Sequence, residues 1–177
     1  VEGMRKENDS VNPLQFYGKT KLGGEKKLNE LASNWCIVRT STPFGIHNKK
    51  KSFPLWVKEN LELKKEIKVL TDQFTSPTYV PNLSKMLIEL SLREITGIIN
   101  LGGLTRISRF QLAVLVADML NLDKKLLIST KTDEMDWRAK RPKDSSLDVS
   151  FATEILNEKP QKIEQSLELF LSELKNN

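Results

Sequence analysis

The sequence predicts an α/β protein, and three features predict it. Short apolar runs that read as strands buried on both faces recur along the chain, most clearly at 35–40 and 97–101. Between them lie stretches with the 3.6-residue periodicity of amphipathic helices. The two kinds alternate, as they do where helices cover a sheet. At about 150 residues per domain, 177 residues make one domain with some material left over. A chain of this size buries enough surface to fold without a disulfide or metal staple.

Residues 1–11 are polar and read as a loop. Asn12-Pro13 reads as an N-cap followed by proline at the first helical position, opening a helix to Ser33 with Leu14, Tyr17, Lys21, Leu28 and Leu31 near one face. Gly23-Gly24 inside it cost about 1 kcal/mol each relative to alanine, so the pair predicts close approach of another backbone or helix. Trp35–Thr40 follows as a strand, and Thr42-Pro43-Phe44-Gly45 breaks it and opens a loop to Ser52. A helix is predicted over 53–65 and a strand over 67–70. Residues 74–80 are extended, because Pro77 and Pro81 each push the preceding residue out of helical geometry. Residues 81–94 form a helix with Leu83, Met86, Leu87 and Leu90 on one face, and Gly97–Leu101 a strand ended by Gly102-Gly103. Ser108-Arg109-Phe110-Gln111 fits a capping box and starts a helix to Leu120, in which Phe110, Leu112 and Leu115 read as core. A strand over 125–130, a charged irregular segment over 131–146 and helices over 149–157 and 161–175 complete the chain.

Composition narrows the function. The net charge is +5, but basic residues are mixed with 23 acids along the chain. The densest run, Lys49-Lys50-Lys51 after His47-Asn48, reads as a solvated loop, and 7% aromatics give no basic–aromatic interleaving for nucleic acid. Nucleic-acid partners are not expected. No apolar run reaches the ~18 residues of a membrane span, so no membrane partner is expected either. The single cysteine, Cys36, excludes an intrachain disulfide framework and a cysteine-cluster zinc site, and a cytoplasmic location is expected. A histidine-based metal site or a Ser-His-Asp relay would rest on His47 alone, and no metal is expected.

The pentapeptide Tyr17-Gly18-Lys19-Thr20-Lys21 carries chemistry. Residues four apart on a helix share a face. A phenol titrates near pH 10, and an adjacent ammonium favours its ionised form and so eases proton exchange at neutral pH. The same ammonium suits a ribose hydroxyl. By itself the spacing is a weak signal that arises often by chance, and it more often describes a half-buried tyrosine beside a solvated lysine.

The surrounding segment, Asn12 to Glu25, resembles the catalytic helix of extended short-chain dehydrogenases/reductases. Within them it is most similar to the dTDP-4-dehydrorhamnose reductase family, with its N-P-x-x-x-Y-G-x-(S/T)-K-x-x-G-E. The resemblance continues in the family's order through Val38-Arg39-Thr40-Ser41, Ser76-Pro77-Thr78-Tyr79-Val80, Gly97–Gly103 and Arg141-Pro142-Lys143-Asp144-Ser145-Ser146-Leu147-Asp148.

The resemblance implies the rear part of a Rossmann-like doubly wound parallel sheet with a small mixed α/β substrate lobe. Residues 1–52 would end the dinucleotide-binding domain and hold the catalytic helix. Residues 53–177 would be mainly substrate lobe, with 72–103 returning to the sheet. The implied activity is reduction of a nucleotide-linked 4-keto-6-deoxy sugar, as in dTDP-L-rhamnose biosynthesis. NADPH would be the cofactor, with NADH as the alternative. Tyr17 would donate the proton and Lys21 would tune it and bind the nicotinamide ribose. Thr40 and Ser41 would face the cofactor and Thr42 the sugar. Arg141 would pair with the nucleotide-sugar diphosphate, since a guanidinium fork suits phosphate, though it also reads as a surface arginine before proline. Trp137, near Arg138 and Arg141, would stack on a sugar or base, or simply pack.

Two departures qualify these implications. Thr42-Pro43 stands where bacterial members often have tryptophan. None of the eight glycines forms the family's G-x-x-G-x-x-G turn, whose backbone amides hold the cofactor pyrophosphate, and no catalytic Ser/Thr partner can be assigned. A preceding segment or a partner chain is therefore expected, with turnover not expected from these 177 residues alone and a homodimer left open. The alternative is a regulatory or binding protein on the same scaffold, like the regulatory subunit of methionine adenosyltransferase.

Overall fold

The computed structural model describes residues 3–47, 49–137 and 139–175. Six α-helices are present among them: α1 (Phe16–Leu31), α2 (Phe53–Glu62), α3 (Val80–Ser91), α4 (Arg109–Met119), α5 (Ser150–Ile155) and α6 (Ile163–Lys175). The strands are β1 (Cys36–Arg39), β2 (Pro43–Phe44), β3 (Ile67–Leu70), β4 (Phe74–Thr75), β5 (Thr78–Tyr79), β6 (Gly97–Asn100), β7 (Ile107–Ser108) and β8 (Leu127–Thr130).

The strands pair in twos. β1 runs parallel to β6, with Cys36 opposite Gly97 and Arg39 opposite Asn100. β2 runs parallel to β5 and β3 to β8, while β4 and β7 are antiparallel. Parallel partners need long crossovers, here carried by helices such as α3 between β1 and β6. This is the α/β architecture expected of the sequence.

Two apolar cores follow from this arrangement. The larger lies around β3 and β8 and joins Val57 and Leu61 of α2, Leu112 and Val116 of α4, and Leu167 and Phe170 of α6. The smaller joins Met86 and Leu90 of α3 to Ile99 and Leu101 and to Ala152 and Leu156, with Cys36 and Val38 of β1 at its margin.

The edge of this second core corrects two expectations. All four β1 residues are half-buried rather than buried on both faces. β1 pairs with β6 alone and α1 buries no residue, so among the described residues β1 is left without full cover. Gly23 and Gly24 likewise have no atom within 4 Å of where a Cβ would stand. Among the described residues nothing makes the close approach that the glycine pair suggested.

Local differences have simple causes. α1 begins at Phe16, with extended Gln15 at its N-cap, three residues later than Pro13. A Cβ on Gly18 would lie 3.0 Å from Pro13 Cβ, so the proline flanks the first turn instead of forming it. The capping box at Ser108 and Gln111 is present in both directions, at 3.1 and 3.0 Å. Gly103 is required by contact: a Cβ there would lie 2.0 Å from Pro77 O.

Residues before α1 are sewn across the ends of β1 and β6. Arg5 pairs in parallel with Leu147. The Asn100 side-chain amide donates to Arg5 O at 2.9 Å and to Asp148 O at 3.0 Å, and Asn100 N donates to Glu7 Oε1 at 3.0 Å. This strap fixes the approach of the chain to α1.

Candidate active site

The placement of α1 is set by charge more than by burial. Arg39, the last residue of β1, donates through Nε and Nη2 to the two carboxylate oxygens of Glu25 at 2.9 and 2.6 Å. A third donation goes to Glu7 O at 3.3 Å. The pair is about four-fifths shielded, with 19% and 21% of the side chains exposed. Bidentate geometry of this kind is the strong form of the ion pair. Glu25 in turn holds the Arg39 guanidinium more firmly protonated than usual.

On the helix so anchored, Lys21 Nζ lies 5.4 Å from the centre of the Tyr17 ring. This is cation–π range, and Tyr17 remains 65% exposed. Thr20 Oγ1 donates back to Tyr17 O at 2.8 Å.

The end of β1 distributes its three hydroxyls differently. Thr40 is exposed. Ser41 is buried, and its hydroxyl donates to Ser145 O at 2.8 Å while sharing a 2.9 Å hydrogen bond with Thr75 Oγ1. It ties β1 to the segment after Arg141. Thr42 has a φ of +43°, a region that β-branched residues seldom occupy. It is held there by a hydrogen bond between its hydroxyl and that of Thr75, and by Thr78 N donating to Thr42 O at 3.2 Å. Such strain is kept where neighbours over-determine it, often at a functional site.

Thr42 forms part of the wall of a cleft of about 770 Å³, and Tyr17, Trp137 and Arg141 stand on the same wall. The Arg141 guanidinium lies 5.0 Å from the centre of the Trp137 ring. Phe53 and Trp56 of α2 stack with centroids 5.8 Å apart and face the same space. Lys51, Lys68 and Arg109 add to the wall, and among the described residues it has no Asp or Glu. Arg138 and Asn48 lie outside the described residues.

An adjoining cleft of about 540 Å³ runs along the other side of α1 and holds Lys21, Gly18, Arg39 and the strap at Arg5 and Lys6; Pro142 borders both clefts. The structure thus brings Tyr17, Thr42, Trp137 and Arg141 together, with Lys21 on the wall of the second space. Thr40 lines neither cleft, and the Ser41 hydroxyl is committed to protein partners. Aromatic and cationic walls beside a phenol suit a large anionic ligand with a stackable ring. The donors around Lys21 suit the ribose end of a nicotinamide nucleotide, and the glycines offer no turn for its pyrophosphate.

Sequence reasoning missed Arg109, Gln73, Phe53 and Trp56, because each sits inside a segment whose pattern is fully explained by helix or turn. Arg109 alone carried a signal. A cation in the first turn of a helix opposes the macrodipole, and α4 has no acidic residue there to offset it.

Parallel strand pairs joined by helical crossovers place the chain in the Rossmann-like class of α/β folds. The chain belongs to the family described as the RmlD substrate binding domain, which it matches over residues 2–176. It is 31% identical over 162 residues to a dTDP-4-dehydrorhamnose reductase from Aggregatibacter actinomycetemcomitans, covering 84% of this chain and 53% of that protein. A methionine adenosyltransferase 2 subunit beta from Danio rerio is 25% identical over 151 residues, covering 81% of this chain and 47% of that one. A crystal structure of dTDP-4-dehydrorhamnose reductase from Bacillus anthracis in complex with NADP superposes with a TM-score of 0.87 at 27% identity, covering 97% of this chain and 59% of that one. The chain spans about half the length of the curated relatives it matches.

Proposed function

We propose that this chain carries the proton-donor helix and most of the substrate cleft of a reductase acting on a nucleotide-linked 4-keto-6-deoxy sugar, such as dTDP-4-dehydrorhamnose. One observation carries the reading: Tyr17, with Lys21 over its ring, opens onto an aromatic, cation-lined cleft without an acid among its described residues. A nicotinamide supplies the hydride in such a reaction, NADPH by preference since a relative of this fold was crystallised with NADP.

The chain's own residues do the rest. Tyr17 donates a proton to the keto oxygen, and Lys21 holds a ribose hydroxyl and stabilises the phenolate left behind. Arg141 binds the diphosphate, and Trp137 stacks on the sugar or base. Thr42 faces the sugar from its strained position. In this reading residues 1–52 and 72–103 belong to the dinucleotide-binding part and the remainder mainly to the substrate lobe. The open side of β1 and the uncovered α1 meet further polypeptide, from the same or a partner chain, that supplies the pyrophosphate cradle and the Ser/Thr partner.

The test is NADPH consumption with dTDP-4-dehydrorhamnose. Turnover is expected from the protein with its cradle-bearing polypeptide and not from residues 1–177 alone. A second reading, a non-catalytic regulatory protein, is favoured by the likeness to the methionine adenosyltransferase subunit. Absence of turnover from the completed protein would decide for it.

A further inference from the structure

We infer that Arg109 is a second guanidinium anchor for the substrate's diphosphate, working with Arg141 in the larger cleft. The inference rests on the nucleotide-sugar reading above and names a residue that reading does not use. Three observations carry it. Three other arginines are each neutralised by an acid: Arg39 by Glu25, Arg93 by Glu89 and Arg106 by Asp144. Arg109 and Arg141 form no ion pair among the described residues. They face the same cleft, whose described wall has no carboxylate at all.

Arg109 is also held as a binding residue would be. Its Nε donates to Gln73 Oε1 at 3.3 Å, and its guanidinium lies 4.8 Å from the centre of the Phe53 ring. These contacts orient the fork without cancelling its charge. Its place at the start of α4 adds the positive end of the helix dipole to the same region. Burial lowers its affinity for the proton, and the nearby charge of Arg141 lowers it further. Two like charges and a helix N-terminus that converge in this way repel one another until an anion enters. A diphosphate offers the two forks more oxygens and more charge than a monophosphate, so Arg109 should set the preference for a nucleoside diphosphate.

The experiment compares binding of dTDP, dTMP and inorganic pyrophosphate by the unaltered protein and by Arg109→Gln, Arg109→Lys and Arg141→Gln, read by tryptophan fluorescence from Trp56 and Trp137. Each variant's thermal midpoint controls for folding. Arg109→Gln should weaken dTDP by about tenfold or more, as loss of a charge-assisted bidentate contact does, and change dTMP far less. Arg109→Lys, which keeps the charge and loses the fork, should fall between, and it decides the matter if the glutamine variant does not fold. Unchanged dTDP affinity, or equal losses for dTDP and dTMP, would overturn the inference. Arg109-dependent binding of pyrophosphate without any binding of dTDP would leave the anion clamp standing and remove the nucleotide-sugar reading. Binding of neither would remove both.

Discussion

Glu25 accepts two hydrogen bonds from Arg39, at 2.9 and 2.6 Å, and so clamps a helix without buried residues to the end of the strand beside it. The presentation of Tyr17 and Lys21 depends on this pair. Glu25→Ala should cost about 1–3 kcal/mol, since it leaves a shielded guanidinium without its acceptor. Hydrogen exchange should show the α1 amides losing protection while those of α4 keep theirs. Unchanged protection in α1 would mean that another contact holds the helix.

Asp144 ties the strap, Arg106 and Ser146 together. It accepts from Ser146 N at 2.9 Å, from Ser146 Oγ at 2.6 Å and from Arg106 Nε at 2.8 Å. Burial pushes its carboxyl up, but the bonds from Ser146 and the Arg106 charge outweigh it, and the net displacement is downward. A carboxyl lowered in the folded state stabilises fully above the ordinary value of about 3.9 and loses that contribution as pH falls below it. Urea midpoints should therefore drop between pH 5 and pH 3 in the unaltered protein, and drop less in Asp144→Asn. Equal slopes for the two would contradict this.

Two glycines should respond in opposite directions to alanine. Gly103→Ala puts a Cβ 2.0 Å from Pro77 O, a backbone atom that cannot swing away, and should destabilise by more than about 3 kcal/mol. Gly24→Ala meets open space and should stabilise α1 by about 0.5–1 kcal/mol. Denaturant midpoints of both variants check the pair. A destabilising Gly24→Ala would place an unseen neighbour against that helix face.

What the sequence made legible was what periodicity and caps encode. The longer elements were readable: β3 falls on the expected 67–70, β6 within 97–101, and α4 starts at its capping box. The two-residue strands β2 and β7 were not, because two residues carry no alternation and exist only through their partners. The site divided along the same line. Tyr17, Lys21 and Arg141 stood in motifs of fixed spacing. Arg109 reached the cleft through tertiary packing of α4 on α2, and its single local signal was a cation in a helix's first turn without an acid beside it. Ser41 stood in a motif too, yet its hydroxyl went to Thr75 and Ser145, since a buried hydroxyl takes whatever partner folding brings near.

The most direct test of the account is the turnover of dTDP-4-dehydrorhamnose with NADPH by the completed protein carrying Tyr17→Phe, with dTDP affinity measured alongside. Phenylalanine keeps the ring under Lys21 and removes only the transferable proton. Turnover should fall by about 10²–10⁴-fold, the usual contribution of a positioned general acid, while dTDP binds as before. Turnover that survives the substitution unchanged would contradict the assignment of Tyr17 as proton donor.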